Sequence, residues 1–212
     1  MIPLARRSPR RRPARTPARV SLLLGLLVAL LAGVLPGGPA NPTAAAAASC
    51  PCSLWSSTTV PASASDPDTS AVEVGVKFRA DVAGKVTGIR FYKGTGNTGT
   101  HVGHLWSSTG QLLGTVTFSG ETTTGWQQAT LSTPVSISAG TTYVVSYYAP
   151  AGHYADDTGY FSGSGVDNGP LHALADGVDG ANGVYVYGTG GAFPTNSWQG
   201  SNYWVDLTFT AN

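Results

Sequence analysis

The chain has 212 residues, 12 Lys and Arg against 11 Asp and Glu, a formal net charge of +1 and 42% hydrophobic residues. Seven of the bases are arginines within the first nineteen positions, and every acid lies after Ser65, so the remainder is net −6, five bases against eleven acids. Such a body lacks the clustered Lys and Arg that phosphates or anionic lipid demand, so neither nucleic acid nor a membrane surface is expected as a partner.

From the N-terminus, the arginine-rich start, the apolar run "SLLLGLLVALLAGV" (Ser21 to Val34) and the small-residue stretch "AAAAAS" read as a secretory signal peptide over 1–48. The apolar run falls short of the roughly twenty residues of a membrane span. Arg6-Arg7 stands far from that run, so the general secretory route is expected over a twin-arginine route. Cleavage near Ser49 predicts a secreted, extracellular protein with no span left.

A lead-in over 49–70 follows, expected to be exposed. Its "SCPCSLW" holds the two cysteines, Cys50 and Cys52. An even count in an exported chain predicts a disulfide between them. Closing so short a loop contributes only about 1.5 kcal/mol before strain, so the bond is expected to matter little to stability. A bridge to another chain, lipid on Cys50 and a metal site stay open as alternatives, the last the weakest because structural zinc wants four ligands.

The body over 71–212 has β periodicity throughout. "AVEVGVKFRA" alternates Val72, Val74, Val76 and Phe78 with Glu73, Lys77 and Arg79, a strand with one wet face. "KVTGIRFYKG" is a second, and "HVGHLWSSTGQLLGTVTF" a hairpin about Ser108 to Gly110. Trp126 to Leu131 then precedes a turn through Pro134, and a strand from Thr142 to Tyr148. "GPLHALADG" could be a helical turn or a loop. "GVYVYG" and "NYWVDLTFT" close the chain, with Tyr203, Val205, Leu207 and Phe209 facing one way. Seven or more short strands with Gly, Ser and Thr turns predict an all-β, antiparallel β-sandwich, jelly-roll or immunoglobulin-like.

The run from "GVKFRADVAGKVTGIRFYKGTGNTGTHVGHLW" through "PVSISAGTTYVVSYYAPAGHY", "NGPLHAL", "GVYVYG" and "NYWVDLTF", with the opening "CPCSLW", resembles a secreted bacterial family known as domain of unknown function 4082. The resemblance spans nearly all of the chain after the leader. It implies an accessory β-sandwich module of the kind found beside immunoglobulin-like domains or carbohydrate-active enzymes, and no established activity.

Catalytic context is thin: there is no G-x-S-x-G elbow and no phosphate loop that opens a helix. His101 and His104 would face opposite sides of a strand, poor geometry for a shared metal. "DPDTS" and "DGVDGANG" offer oxygens that calcium accepts, but neither has EF-hand spacing, so no cofactor is expected, with calcium as the alternative. What stands out is "YYAPAGHYADDTGYF", where rings, glycines and a histidine share a long loop. Rings with polar tips suit a sugar, and long ordered loops are often functional. Tyr154, Tyr160 and Trp198 are the stacking candidates. His153 joins them for hydroxyls, with Lys93, Asn97 and His101 of "KGTGNTGTH" if that loop lies at the same end. The expectation is a non-catalytic module that binds polysaccharide or a cell-surface glycan through these rings, with little dependence on salt. The alternatives are a small hydrolase built on His153, Asp156 or Asp157, and His172, or a structural surface domain with no small ligand.

Overall fold

The computed structural model describes residues 50–212, so the leader read over 1–48 lies outside the described residues. Eleven strands make up the regular structure: β1 (Val72–Ala80), β2 (Gly84–Lys93), β3 (Val102–Ser107), β4 (Leu112–Thr117), β5 (Gly125–Ile137), β6 (Tyr143–Ala149), β7 (Val166–Asn168), β8 (Leu171–Ala173), β9 (Val184–Tyr187), β10 (Asn196–Ser197) and β11 (Val205–Ala211). All pair antiparallel, in two sheets. The larger runs β10-β9-β1-β6-β3-β4, with β8 sharing the β9 edge of β1 and β7 beyond it; the smaller runs β11-β2-β5. The domain is an all-β sandwich.

Period-two alternation builds the core. Val72, Val74, Val76 and Phe78 of β1 join Ile89 and Phe91 of β2 and Leu207 and Phe209 of β11 in one buried cluster. Burying each such side chain is worth about 1.5–3 kcal/mol. At its centre Phe91 stacks on Tyr147 of β6, centroids 4.1 Å apart. The hairpin between β3 and β4 turns where expected: Ser107 N–H donates to Gln111 O, and Gly110 takes the positive φ of 88° that a side chain would resist.

Four expectations need correcting. Glu73 is not on a wet face; it is 1% exposed, because segment 188–194 folds over the outside of β1, β6 and β3. There Glu73 accepts from the Gly191 N–H and the Ser146 hydroxyl and meets His104 Nδ1 at 2.8 Å. Pro134 does not turn the chain. β5 runs through it as an edge strand whose register on β2 jumps between Thr130 and Val135, the kind of irregular place where a strand tolerates proline. "GPLHALADG" is neither helix nor plain loop, since Leu171 to Ala173 form β8 in a hairpin with β7.

The lead-in over 49–70 is only partly exposed. Cys52, disulfide-bonded to Cys50, pairs with Phe209, and Leu54 and Trp55 are buried on the outside of β11. Asp206 fixes this strap, accepting from Leu54 N–H at 2.7 Å while paired with Arg90 at 3.3 Å. Burial pushes its carboxyl up to about 6 against the pull of Arg90. Further along, Asp157 accepts from the Ala62 and Ser63 N–H groups, and Asp66 N–H donates to Tyr154 O.

Candidate functional site

The residues singled out from sequence divide into two groups. Lys93, Asn97 and His101 form an internal knot. Lys93 Nζ and His101 Nδ1 share the Glu121 carboxylate, at 2.7 and 2.8 Å. His101 Nε2 meets Asn97 Oδ1 at 2.8 Å, and Asn97 Nδ2 donates to the Tyr147 hydroxyl. Asn97 and His101 are both 0% exposed. Burial lowers the His101 pKa below its ordinary value even beside Glu121, whose charge Lys93 already balances. The Tyr147 phenol is raised far above its usual range by the same burial. Every polar tip here meets a neighbour, and only the Lys93 and Glu121 side chains keep some exposure, 13% and 12%.

The second group surrounds the loop after β6. Tyr160 turns inward: its hydroxyl accepts from Trp55 Nε1, and its ring packs on Trp204 at 5.6 Å. His153 is not on the wall of the cavity described next, but it braces that wall. Its N–H donates to Asp68 O, and its Nδ1 lies 3.0 Å from Asp66 O. Gly152, at φ 65°, permits this approach, because a Cβ there would collide with the Asp68 carbonyl. Tyr154 and Trp198 do line a cavity.

That cavity, about 340 Å³, is walled by Tyr154, Tyr185, Tyr187, Trp198 and Tyr203 and by the carboxylates of Asp66, Asp68 and Asp156. Its position follows from the unequal sheets. Tyr187 pairs with Val72 and Tyr185 with Val74, so both tyrosines point to the core-facing side of the large sheet. The small sheet is three strands wide, and β11 lies over β1 and β6, leaving β9 beyond its reach. Rings that parity assigns to a core therefore face a gap, which the Asp66–Ser70 segment and the Trp198 loop border. β10 hangs on β9 through Asn196 and Ser197 and delivers Trp198 at the rim, 55% exposed.

The acids differ in their surroundings. Asp68 accepts from the Tyr187 hydroxyl at 2.7 Å, the Tyr154 hydroxyl at 3.3 Å and Ser70 N–H at 2.8 Å. Burial opposes its charge, yet these donors hold its carboxyl below the ordinary value. Asp156 moves the other way: burial first, then the charges of Asp66 and Asp157, raise it. The Ser201 hydroxyl beside it pulls the other way, although its Oγ and the buried Asp156 Oδ1 both stand outside hydrogen-bond geometry. Burial also raises the Tyr154 and Tyr203 phenols far above their usual range, so both remain donors at any physiological pH.

Backbone strain gathers at the same place. Among the described residues, three that are not glycine take positive φ: His153 at 53°, Gln199 at 49° and Trp204 at 53°. Each is the immediate neighbour of a ring on the cavity wall, Tyr154, Trp198 or Tyr203. Such conformations cost about 1–3 kcal/mol apiece and persist where surrounding contacts demand them, often at functional sites. Trp204 is held so by Asn202 Oδ1, which accepts its N–H, and by Asp157, which accepts from its indole.

The family model for a domain of unknown function (DUF4082) matches residues 58–205. The chain belongs to this family. No curated protein matches it. All eight cavity residues of this DUF4082 domain lie inside the matched span.

The three residues considered for a hydrolase are not brought together. His172 pairs across from Arg79, seven residues along β1 from Val72, or about 23 Å from the cavity end at strand rise. There it meets Asp167 and Asp81, at 2.6 and 2.9 Å. Asp157 is occupied by the Ala62 and Ser63 amides. Among the described residues no group of three or more His, Cys, Asp or Glu is arranged to hold a metal, and no helix is long and apolar enough to cross a membrane. Sequence reasoning missed Asp66, Asp68, Tyr185, Tyr187 and Tyr203 as site residues. The first two lay in a segment expected to be exposed. Tyr203 was assigned to the core by parity, and parity holds; the missing fact was the width of the opposing sheet.

Proposed function

We propose that this DUF4082 domain is a secreted, non-catalytic module that binds a polysaccharide or cell-surface glycan in the ring-lined cavity. The observation that carries the reading is the convergence of five aromatic rings on one cavity at the end of the large sheet. Sugar rings present C–H faces to such walls, and their hydroxyls can donate to carboxylates and exchange hydrogen bonds with tyrosine tips. The strained backbone beside three of the rings supports the same place. Titration calorimetry against soluble fragments of chitin, cellulose, xylan and peptidoglycan tests it. At least one fragment should bind, and Trp198→Ala should weaken it by about 2 kcal/mol, roughly thirty-fold, without altering circular dichroism. Failure of every fragment would remove the reading.

One observation favours a second reading. Asp156 and Asp68 face one cavity with carboxyls shifted in opposite directions, the pattern expected of a general acid and its partner in glycoside cleavage. Release of reducing ends from a bound fragment, abolished in Asp156→Asn, would establish it over simple binding.

A further inference from the structure

We infer that the sugar this cavity selects carries a free ammonium group, as in a deacetylated amino-sugar polymer. The inference rests on the glycan reading above and adds a charge requirement to it. Three carboxylates share the wall with the rings, and no Lys or Arg does. Four of the described cations are engaged elsewhere: Lys77 on the Asp179 carbonyl, Arg79 on the Asp179 carboxylate, Arg90 on Asp206 and Lys93 on Glu121. Among the described residues Asp66, Asp68 and Asp156 make no ion pair. Asp68 is fixed as an anion by two tyrosine hydroxyls and an amide. Asp156 Oδ1 is buried and outside hydrogen-bond geometry, with the Ser201 hydroxyl beside its carboxyl and no cation.

Ionised carboxylates only accept hydrogen bonds, and three of them around one space repel. An ammonium supplies three donors and the compensating charge in one group. The same group is attracted to the faces of tyrosine and tryptophan, of which the cavity has five. An N-acetyl group in its place would bring a carbonyl oxygen toward oxygens that need donors. The scarcity of cations had suggested affinity resting on rings with little effect of salt. The carboxylates around the cavity reverse that expectation.

The test uses matched-length oligomers of glucosamine, N-acetylglucosamine and glucose, titrated into the protein with residues 50–212 intact. The glucosamine oligomer should bind about tenfold tighter than either neutral one. That preference should shrink as salt is raised toward 1 M, where screening acts over about 3 Å. The variant Asp66→Asn with Asp156→Asn should lose the preference; asparagine keeps the Oδ1 that accepts the Asp68 N–H. A control with the same charge change, Asp81→Asn with Asp167→Asn beside His172, should keep it. Equal affinity for all three oligomers overturns the charge requirement and leaves the glycan reading standing. Equal loss in the control overturns it too, as diffuse attraction to an acidic protein. Binding by none of the oligomers, with the other glycan fragments also silent, removes both. The salt series on the unaltered protein decides the matter even if a variant fails to fold.

Discussion

The knot of Lys93, Asn97, His101 and Glu121 and the cavity of Asp66, Asp68 and Asp156 both set charged and amide groups among tyrosine rings. In the knot, donors and acceptors match: one carboxylate meets one ammonium and one imidazole, and the amide bridges that imidazole to the Tyr147 hydroxyl. In the cavity the charge count does not close: three carboxylates share the wall with no cation. Residue types in a Gly-rich loop are thus a poor guide to a site. The imbalance between what is offered and what is met separates the two.

If that contrast is sound, damage to the knot should appear as lost stability and damage to the cavity as lost binding. The largest effect is expected from Glu121→Ala, which strands Lys93 and His101 in a largely buried place. Breaking a buried pair costs about 3–5 kcal/mol, a fall in melting temperature of roughly 10 °C for a domain of this size. Scanning calorimetry measures it, and whatever folds should still bind ligand normally. A melting temperature unchanged by Glu121→Ala would erase the distinction.

Next, Trp198→Ala should leave the melting temperature within the change that about 0.5 kcal/mol produces, since the ring is mostly exposed. Its cost should fall wholly on ligand. Tyr154→Phe sharpens the comparison, because Tyr154 belongs to both core and wall. Removing its hydroxyl from Asp68 should cost about 1 kcal/mol of stability and leave the Tyr203 ring contact in place. Thermal unfolding of the variant checks this, and a loss several times larger would make Tyr154 a core residue alone.

The smallest effect is a dependence on pH. The folded pKa of His101 lies below its ordinary value of 6.5. The unfolded chain therefore binds more protons between those two values, and stability is lost as pH falls below about 6.5 through that window. His172 is raised, so its contribution is present below 6.5 and lost as pH rises through its folded value, a separate window. Asp206, raised to about 6, opposes the His101 slope on the acid side. Denaturant melts across this range should show His101→Gln less weakened by acid than the parent. The same slope in both proteins would mean that His101 is not the group responsible.

Most of the fold was legible because alternation in Val72–Phe78 and Val205–Phe209 encodes which side meets the core. The hairpin at Gly110 was legible from local turn chemistry. The burial of Glu73 and Asp206 was not, since each depends on a remote segment, 188–194 or 52–55, folding across the outer face of a sheet. The candidate site was half legible. Tyr154 and Trp198 stood out as rings in polar, Gly-rich surroundings. Lys93, Asn97 and His101 looked equally exposed, and nothing local in "KGTGNTGTH" announces that Glu121 and Tyr147 satisfy them. Asp66 and Asp68 could be placed only once His153 and Tyr154 were seen to grip their backbone.

The strap held by Asp206 bears on where the smallest autonomous piece of this protein ends. The span shared with the family, 58–205, stops short of Leu54 and Trp55 on one side and retains a single residue of β11 on the other. A fragment trimmed to it would lose the strand that covers β1 and β6, together with the plug over that strand's outer face. One trimmed to residue 71 would keep every strand but discard Asp66 and Asp68, and with them a wall of the cavity. Such a piece would be a sandwich without a mouth. The residues that plug the fold, Leu54 and Trp55, and two that wall the cavity, Asp66 and Asp68, therefore belong to one lead-in segment.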